Sequence, residues 1–295
     1  MPPPPSLGSR PVRPRRSALY VPAANARALE KARGLPADVV LVDLEDAVAP
    51  ASKEGARAQA LSAFATDGWR AERVLRVNGA ETSWGEGDLS AAARSGADAI
   101  CLPKVESPEA VRAAALALDR AGGPPALALW AMIETPRGVL AAKEIAFATP
   151  RLACLVAGTS DLVKELGARH TPARAEVLTS LSLLLLAARA ARLCALDGVW
   201  LDLADAAGFE ASCRQGRDLG FDGKTLIHPG QLEAANRVFA PSPEELSAAR
   251  RVLAAHAEAV AEGRGVTVLD GRLVEALHVA EAERILALGE AIARR

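Results

Sequence analysis

Leu127-Ala128-Leu129-Trp130-Ala131-Met132-Ile133 is an unbroken apolar run that stops abruptly at Glu134-Thr135-Pro136-Arg137-Gly138. A short apolar run bounded by Gly, Pro and polar residues reads as a strand buried on both faces of a parallel sheet. Leu152-Ala153-Cys154-Leu155-Val156-Ala157 repeats the pattern and ends at Gly158-Thr159-Ser160-Asp161. Glu134 and Asp161 lie one strand–helix–strand unit apart, so neighbouring parallel strands would deliver two carboxylates to the same end of a sheet. Two hard oxygen ligands on rigid supports, with room for water and substrate, suit a catalytic Mg2+.

Working outward from these two runs, eight strands are expected: Ala18–Val21, Val39–Leu44, Val74–Val77, Ala99–Leu102, Ala126–Met132, Cys154–Ala157, Gly198–Leu201 and Lys224–Ile227. Ala-rich helical stretches separate them. Ser52 is placed to cap Lys53–Phe64, Ser107-Pro108 opens a helix ending at Arg120, and Asp205 precedes Ala206–Leu219, which Gly220 closes. Eight alternating strand–helix units fit a TIM (β/α)8 barrel better than a doubly wound sheet, and no GxGxxG or Walker motif follows any strand. The barrel is assigned to residues 16–240. Residues 1–15, rich in Pro and Arg, read as a mobile tail. Residues 241–295 read as a helical extension, a lid or an oligomer interface, with a helix that Pro241-Ser242-Pro243-Glu244 starts and that runs through Ala261, an extended piece Val266–Leu269 and a long helix Leu273–Arg294.

Half of the 295 residues are apolar but only 3% are aromatic, so Ala, Leu and Val must build the core. The net charge of −1 gives no field for nucleic acid or an anionic membrane, and scarce aromatics leave little for base stacking. Cys101, Cys154, Cys194 and Cys213 form no CxxC pair, which argues against structural zinc. They suit a reduced, cytoplasmic protein. The apolar stretch Val177–Ala188 is too short and too interrupted to span a bilayer.

Catalytic groups in such barrels stand at the C-terminal ends of the strands. Those ends carry Tyr20, Asp43-Leu44-Glu45-Asp46, Arg76, Lys104, Glu134, Asp161, Asp202 with Asp205, and His228. Each has a plainer reading. Acids at helix starts cap free N–H groups, which applies to Asp161 and above all to Asp205. Arg76 is either a structural ion pair or a clamp on a substrate carboxylate. Lys104 divides between an ion pair and an active-site cation, and His228 before Pro229 between structure and catalysis.

Ser17-Ala18-Leu19-Tyr20-Val21-Pro22, Asp43-Leu44-Glu45-Asp46-Ala47-Val48, Leu75-Arg76-Val77-Asn78, Leu102-Pro103-Lys104, Ile133-Glu134-Thr135-Pro136, Gly158-Thr159-Ser160-Asp161-Leu162 and Ile227-His228-Pro229 follow one another in that order. Together, from about Arg16 onward, the chain resembles the citrate lyase beta-subunit-like family, which is similar to malyl-CoA lyases and HpcH/HpaI-type aldolases. The resemblance implies a Mg2+-dependent barrel that cleaves a 3-hydroxyacyl-CoA thioester into an acyl-CoA and a keto acid, assembled as a homotrimer or hexamer. It implies Glu134 and Asp161 as metal ligands, Glu134 also meeting substrate, Arg76 on the keto-acid carboxylate, and Glu45 and Asp46 beside metal-bound waters. Tyr20, Arg27 and Lys31 fall where such proteins bind CoA.

The family's terminal motif resembles Asp-Gly-x-Met-(Ile/Val)-Asp, whereas this chain has Asp270-Gly271-Arg272-Leu273-Val274-Glu275. The aligned acid, Glu275, is one methylene longer and serves either acid–base work or a salt bridge. The expected activity is therefore a carbon–carbon lyase. The alternatives are a hydroxyacyl-CoA thioesterase on the same site, a citrate lyase subunit dependent on an acyl-carrier protein, and an aldolase acting on free hydroxy-keto acids.

Overall fold

The computed structural model describes residues 12–295, and the chain divides into two compact units, Arg15–Phe239 and Ala240–Arg295. Most of the expected N-terminal tail, residues 1–11, lies outside the described residues. Its last residue, Arg15, is pinned: Nε and Nη2 donate to Glu72 at 2.7 and 2.8 Å, and the guanidinium sits 5.1 Å from the Trp130 ring centroid.

In the first unit eight parallel strands close into a barrel: β1 (Ser17–Pro22), β2 (Val39–Asp43), β3 (Glu72–Arg76), β4 (Ala99–Leu102), β5 (Ala128–Ile133), β6 (Leu152–Ala157), β7 (Cys194–Asp197) and β8 (Gly223–Leu226). Closure is made by β1 against β8, with Ala18 opposite Thr225. Successive side chains of a strand point to opposite faces, and the apolar residues sort accordingly into two clusters. Val39, Leu41, Val74, Cys101, Trp130, Met132 and Val156 belong to the smaller cluster that fills the barrel. Val40, Val42, Leu75, Ile133 and Leu155 belong to the larger one, between strands and helices. The period of two has a direct consequence for the site. Asp43, Arg76 and Glu134 each stand two residues beyond an inward apolar residue (Leu41, Val74 and Met132), so their side chains enter the barrel mouth.

The helices of this unit are α1 (Ala26–Ala32), α2 (Lys53–Phe64), α3 (Gly85–Ala92), α4 (Pro108–Arg120), α5 (Pro136–Leu140), α6 (Ala142–Ala146), α7 (Thr159–Glu165), α8 (Leu178–Ala190), α9 (Ala206–Leu219) and α10 (Leu232–Val238). Ser107 Oγ caps α4 through the Ala110 N–H, and Asp205 Oδ1 caps α9 through Gly208 N–H at 2.8 Å. Ser52 makes no such bond, because a 3-10 turn over Pro50–Ser52 runs straight into α2.

The seventh strand differs from expectation. It is Cys194–Asp197 rather than Gly198–Leu201, so the acid at its end is Asp197, while Asp202 lies exposed in the following loop. Two apolar runs flank Asp197-Gly198, and the first pairs with both neighbours, Leu196 lying opposite Val156 and Gly223. Asp197 points outward and is fully buried in an ion cluster. Lys224 Nζ donates to its Oδ2 at 2.7 Å, Arg174 Nη1 donates to the same oxygen at 2.8 Å, and Arg174 Nη2 bonds Oδ1.

In the second unit Ser242 and Glu245 form a reciprocal capping box at the start of α11 (Pro243–Ala261). A hairpin follows, β9 (Thr267–Leu269) against β10 (Arg272–Val274). Its turn, Asp270-Gly271, has φ of 50° and 75°, the pair of positive values that a two-residue hairpin loop requires. The terminal helix α12 (Ala276–Ala293) therefore starts three residues later than expected, because Leu273 and Val274 are in β10. Among the described residues no helix is long and apolar enough to cross a membrane.

Candidate active site

A cavity of about 320 Å³ opens at the C-terminal ends of the strands, lined among others by Tyr20, Asp43, Asp46, Arg76, Glu134 and Asp161. Arg76 is its most heavily bonded member. Nε and Nη2 donate to Asp43 Oδ1 and Oδ2, both at 2.7 Å, in the two-pronged geometry that fixes a guanidinium plane. Nη1 is left to face Glu45 Oε2 at 3.0 Å and Asp46 Oδ2 at 3.4 Å. The Tyr20 ring packs on the guanidinium, with the centroid 4.8 Å from Cζ. Burial pushes the Asp43 carboxyl up, but the hydrogen bonds and charge of Arg76 hold it below its ordinary value.

Glu134 is 3% exposed. One oxygen accepts the Lys104 backbone N–H at 2.7 Å. Burial raises this carboxyl to about 7 against that hydrogen bond. Its room comes from Gly158, where a Cβ would lie 2.3 Å from Glu134 Cβ and 2.6 Å from Oε2. Asp161, in the first turn of α7, faces Lys104 Nζ at 3.6 Å. Lys104 Nζ also meets Glu45 Oε1 at 2.5 Å and Asp46 Oδ1 at 3.8 Å. Glu45 is buried, which raises its carboxyl above the ordinary value, and its Oε2 lies near Arg76 without an aligned hydrogen bond.

The loop carrying Glu45 and Asp46 is held from two sides. Asp43 accepts the Glu45 and Ala47 N–H groups at 2.8 and 3.0 Å. Buried Lys53 donates to the carbonyls of Leu44 and Glu45 and to Asn78 Oδ1, all within 2.8 Å.

Of the residues singled out in the sequence, Tyr20, Glu45, Asp46, Arg76, Glu134 and Asp161 thus come together, with Lys104 among them. Arg27 and Lys31 are exposed on α1, one turn apart, away from the cavity lining. Glu275 belongs to the second unit, where its N–H donates to His278 Nδ1 at 3.1 Å. His228 Nδ1 accepts the Gly230 N–H at 3.0 Å and so caps a 3-10 turn. Asp43 was named at the end of the second strand without a role of its own, and Lys53 only as the start of a helix. The signal for Asp43 was its inward position directly opposite Arg76 in the register of β2 and β3.

Among the described residues no three His, Cys, Asp or Glu side chains gather as a ready-made metal cage. Two carboxylates at one cavity are nevertheless the donor set of Mg2+, which keeps waters and takes substrate oxygens for the rest of its shell. Glu134 and Asp161, which both line the cavity, could supply those two. The burial of Glu134, which makes no ion pair among the described residues, and the Glu45 Oε2 that accepts no aligned hydrogen bond fit a site with room for a further positive charge.

A family model described as HpcH/HpaI aldolase/citrate lyase matches residues 16–229. The chain is 51% identical over 281 residues to a (3S)-malyl-CoA thioesterase of Cereibacter sphaeroides, covering 95% of this chain and 96% of that one. It is 38% identical over 291 residues to the citrate lyase subunit beta of Escherichia coli, with 97% and 96% covered. Among solved structures, the protein CitE of Mycobacterium tuberculosis in complex with magnesium, acetoacetate and coenzyme A superposes with a TM-score of 0.76 at 34% identity, over 93% of this chain and 97% of that one. A citrate lyase beta subunit from M. tuberculosis complexed with oxaloacetate and magnesium gives 0.67 at 33% identity, over 77% and 98%.

Proposed function

The chain belongs to the HpcH/HpaI aldolase/citrate lyase family, and from that premise we propose that it is a thioesterase hydrolysing a 3-hydroxyacyl-CoA of the malyl-CoA class. The observation that carries this reading is the 51% identity with a (3S)-malyl-CoA thioesterase along nearly the whole chain, against 38% with a citrate lyase beta subunit. Hydrolysis, the alternative in the sequence reading, therefore ranks above carbon–carbon cleavage.

Both reactions need a carboxylate held at one place and a carbonyl polarised at another. Arg76 offers Nη1 to the free carboxylate of the acyl group while Asp43 and Tyr20 keep the guanidinium from turning. Glu134 and Asp161 would hold Mg2+, whose charge, when bound, polarises a substrate oxygen. Asp46, with a side chain 58% exposed at the cavity wall, takes a proton from the water that attacks the thioester carbon. The C–S bond then breaks, and the CoA sulfur leaves with the proton that Asp46 returns. Glu45, tied to Lys104 and Arg76, holds the two cations beside it. Arg27 and Lys31 bind the CoA phosphates, and Glu275 is the remaining acid–base candidate.

Incubation with (3S)-malyl-CoA, reading free thiol, malate and glyoxylate in parallel, tests the proposal. Equal amounts of thiol and malate support hydrolysis. Glyoxylate with acetyl-CoA and no free thiol restores the lyase.

A further inference from the structure

Lys104 touches both candidate metal ligands. Its backbone N–H donates to Glu134 Oε1 at 2.7 Å, and its Nζ stands 3.6 Å from Asp161 Oδ2. The same ammonium reaches Glu45 Oε1 at 2.5 Å and Asp46 Oδ1 at 3.8 Å. The backbone adopts φ of 47°, a left-handed conformation that costs energy in a residue bearing a Cβ. Such strain persists where the surroundings hold it, and it gathers at ligand-binding positions. Here it follows Pro103 and lets one residue point its amide at the end of β5 and its side chain at the acids that follow β2 and β6.

The charges around this residue are unevenly matched. Two of the three polar atoms of the Arg76 guanidinium are spent on Asp43. Four carboxyl groups, those of Glu45, Asp46, Glu134 and Asp161, are left to share Lys104 and Arg76 Nη1. No residue but Lys104 is bonded to Glu134 and paired with Asp161 in the described structure. Its side chain is 40% exposed, so the ammonium has space to swing outward.

We infer that Lys104 is the built-in cation of the metal-free site and sets how tightly the site takes a divalent ion. The inference rests on the reading of Glu134 and Asp161 as ligands. Without metal, the ammonium holds the acids of the β2 and β6 ends against their mutual repulsion. An ion entering on Glu134 and Asp161 must take Asp161 away from it. Lys104 therefore weakens metal binding by competing for a ligand and by like-charge repulsion, while keeping the ligands assembled. Removing one positive charge a few ångströms from a divalent ion, discounted for exposure, should tighten binding about tenfold.

The experiment is a titration of metal-free protein with Mn2+, reading free ion by electron paramagnetic resonance, on wild type, Lys104→Met, Lys104→Arg, Asp161→Asn and the double variant Lys104→Met/Asp161→Asn. Lys104→Gln stands in should Lys104→Met fail the circular dichroism check for folding. The expected result is binding about tenfold tighter in Lys104→Met, within about threefold of wild type in Lys104→Arg, and lost in both Asp161→Asn proteins. Equal or weaker binding in Lys104→Met, with wild type binding normally, overturns the role of Lys104 and leaves the ligand assignment standing. A wild-type protein that binds no Mn2+, or an Asp161→Asn protein that binds it as wild type does, overturns both.

Discussion

Asp43 and Arg76 face each other across β2 and β3 and are joined by two parallel hydrogen bonds of 2.7 Å. Because Asp43 also accepts the amides of Glu45 and Ala47, one buried carboxylate sets both the guanidinium and the loop that carries two acids. The alternatives the sequence offered for Arg76, ion pair or clamp, are thus compatible. Asp43 uses one edge of the guanidinium, and Nη1 remains at the cavity.

Asp43→Asn replaces one acceptor oxygen by a donor that opposes the arginine N–H groups. Breaking a buried pair in this way costs about 3–5 kcal/mol of stability, and a 1 Å displacement at a reacting site costs about a hundredfold in rate. Thermal unfolding and kcat/KM should fall together. A variant with wild-type kcat/KM would remove Asp43 from the positioning of Arg76.

Arg76→Lys keeps the charge and loses the fork. KM for the acyl-CoA should rise by about tenfold or more, and inhibition by a free dicarboxylic acid should weaken in step. Unchanged inhibition constants would show that the acyl carboxylate binds elsewhere.

Glu134→Gln and Asp161→Asn should each lower Mg2+ affinity below calorimetric detection while circular dichroism stays that of wild type. Normal affinity in both variants would falsify the ligand assignment.

Gly158→Ala places a methyl group within 2.3 Å of Glu134 Cβ. Glu134 must then shift, and activity should drop by about a hundredfold for a displacement near 1 Å. Full activity would mean that the two strand ends separate without moving the carboxylate.

Asp197→Asn tests the ion cluster outside the barrel. Burial pushes the Asp197 carboxyl up, but Lys224 and Arg174 more than compensate and hold it below its ordinary value. A depressed carboxylate contributes stability that is complete above the unfolded value, about 3.9, and disappears as pH falls through the folded value. Wild type should therefore lose stability below about pH 4. The variant, with two buried cations unpaired, should be about 3–5 kcal/mol less stable at pH 7 and show a shallower acid limb. Denaturant unfolding across pH measures both. Parallel acid limbs would remove Asp197 as their source.

Glu275→Ala should slow turnover more than it weakens CoA binding, as rapid-quench rates beside equilibrium binding would show. An unchanged rate would relegate Glu275 to structure.

The barrel was legible because buried strands announce themselves as apolar runs and because Pro, Gly, Ser and Asp mark helix ends. The seventh strand was not, since Leu193–Leu196 and Val199–Leu201 are equally apolar and only cross-strand register chooses between them. Glu134, Asp161 and Arg76 were legible as charges ending buried runs. The partners of Asp197 were not, because Arg174 and Lys224 stand 23 and 27 residues away and meet it only in three dimensions. The same holds for Lys104, whose left-handed backbone after Pro103 no propensity foretells.

The most direct measurement is hydrolysis of (3S)-malyl-CoA in H2 18O, with the product malate analysed by mass spectrometry. One 18O per malate, accompanied by one free CoA thiol, is the predicted result. Acetyl-CoA and glyoxylate without labelled malate would contradict the thioesterase account.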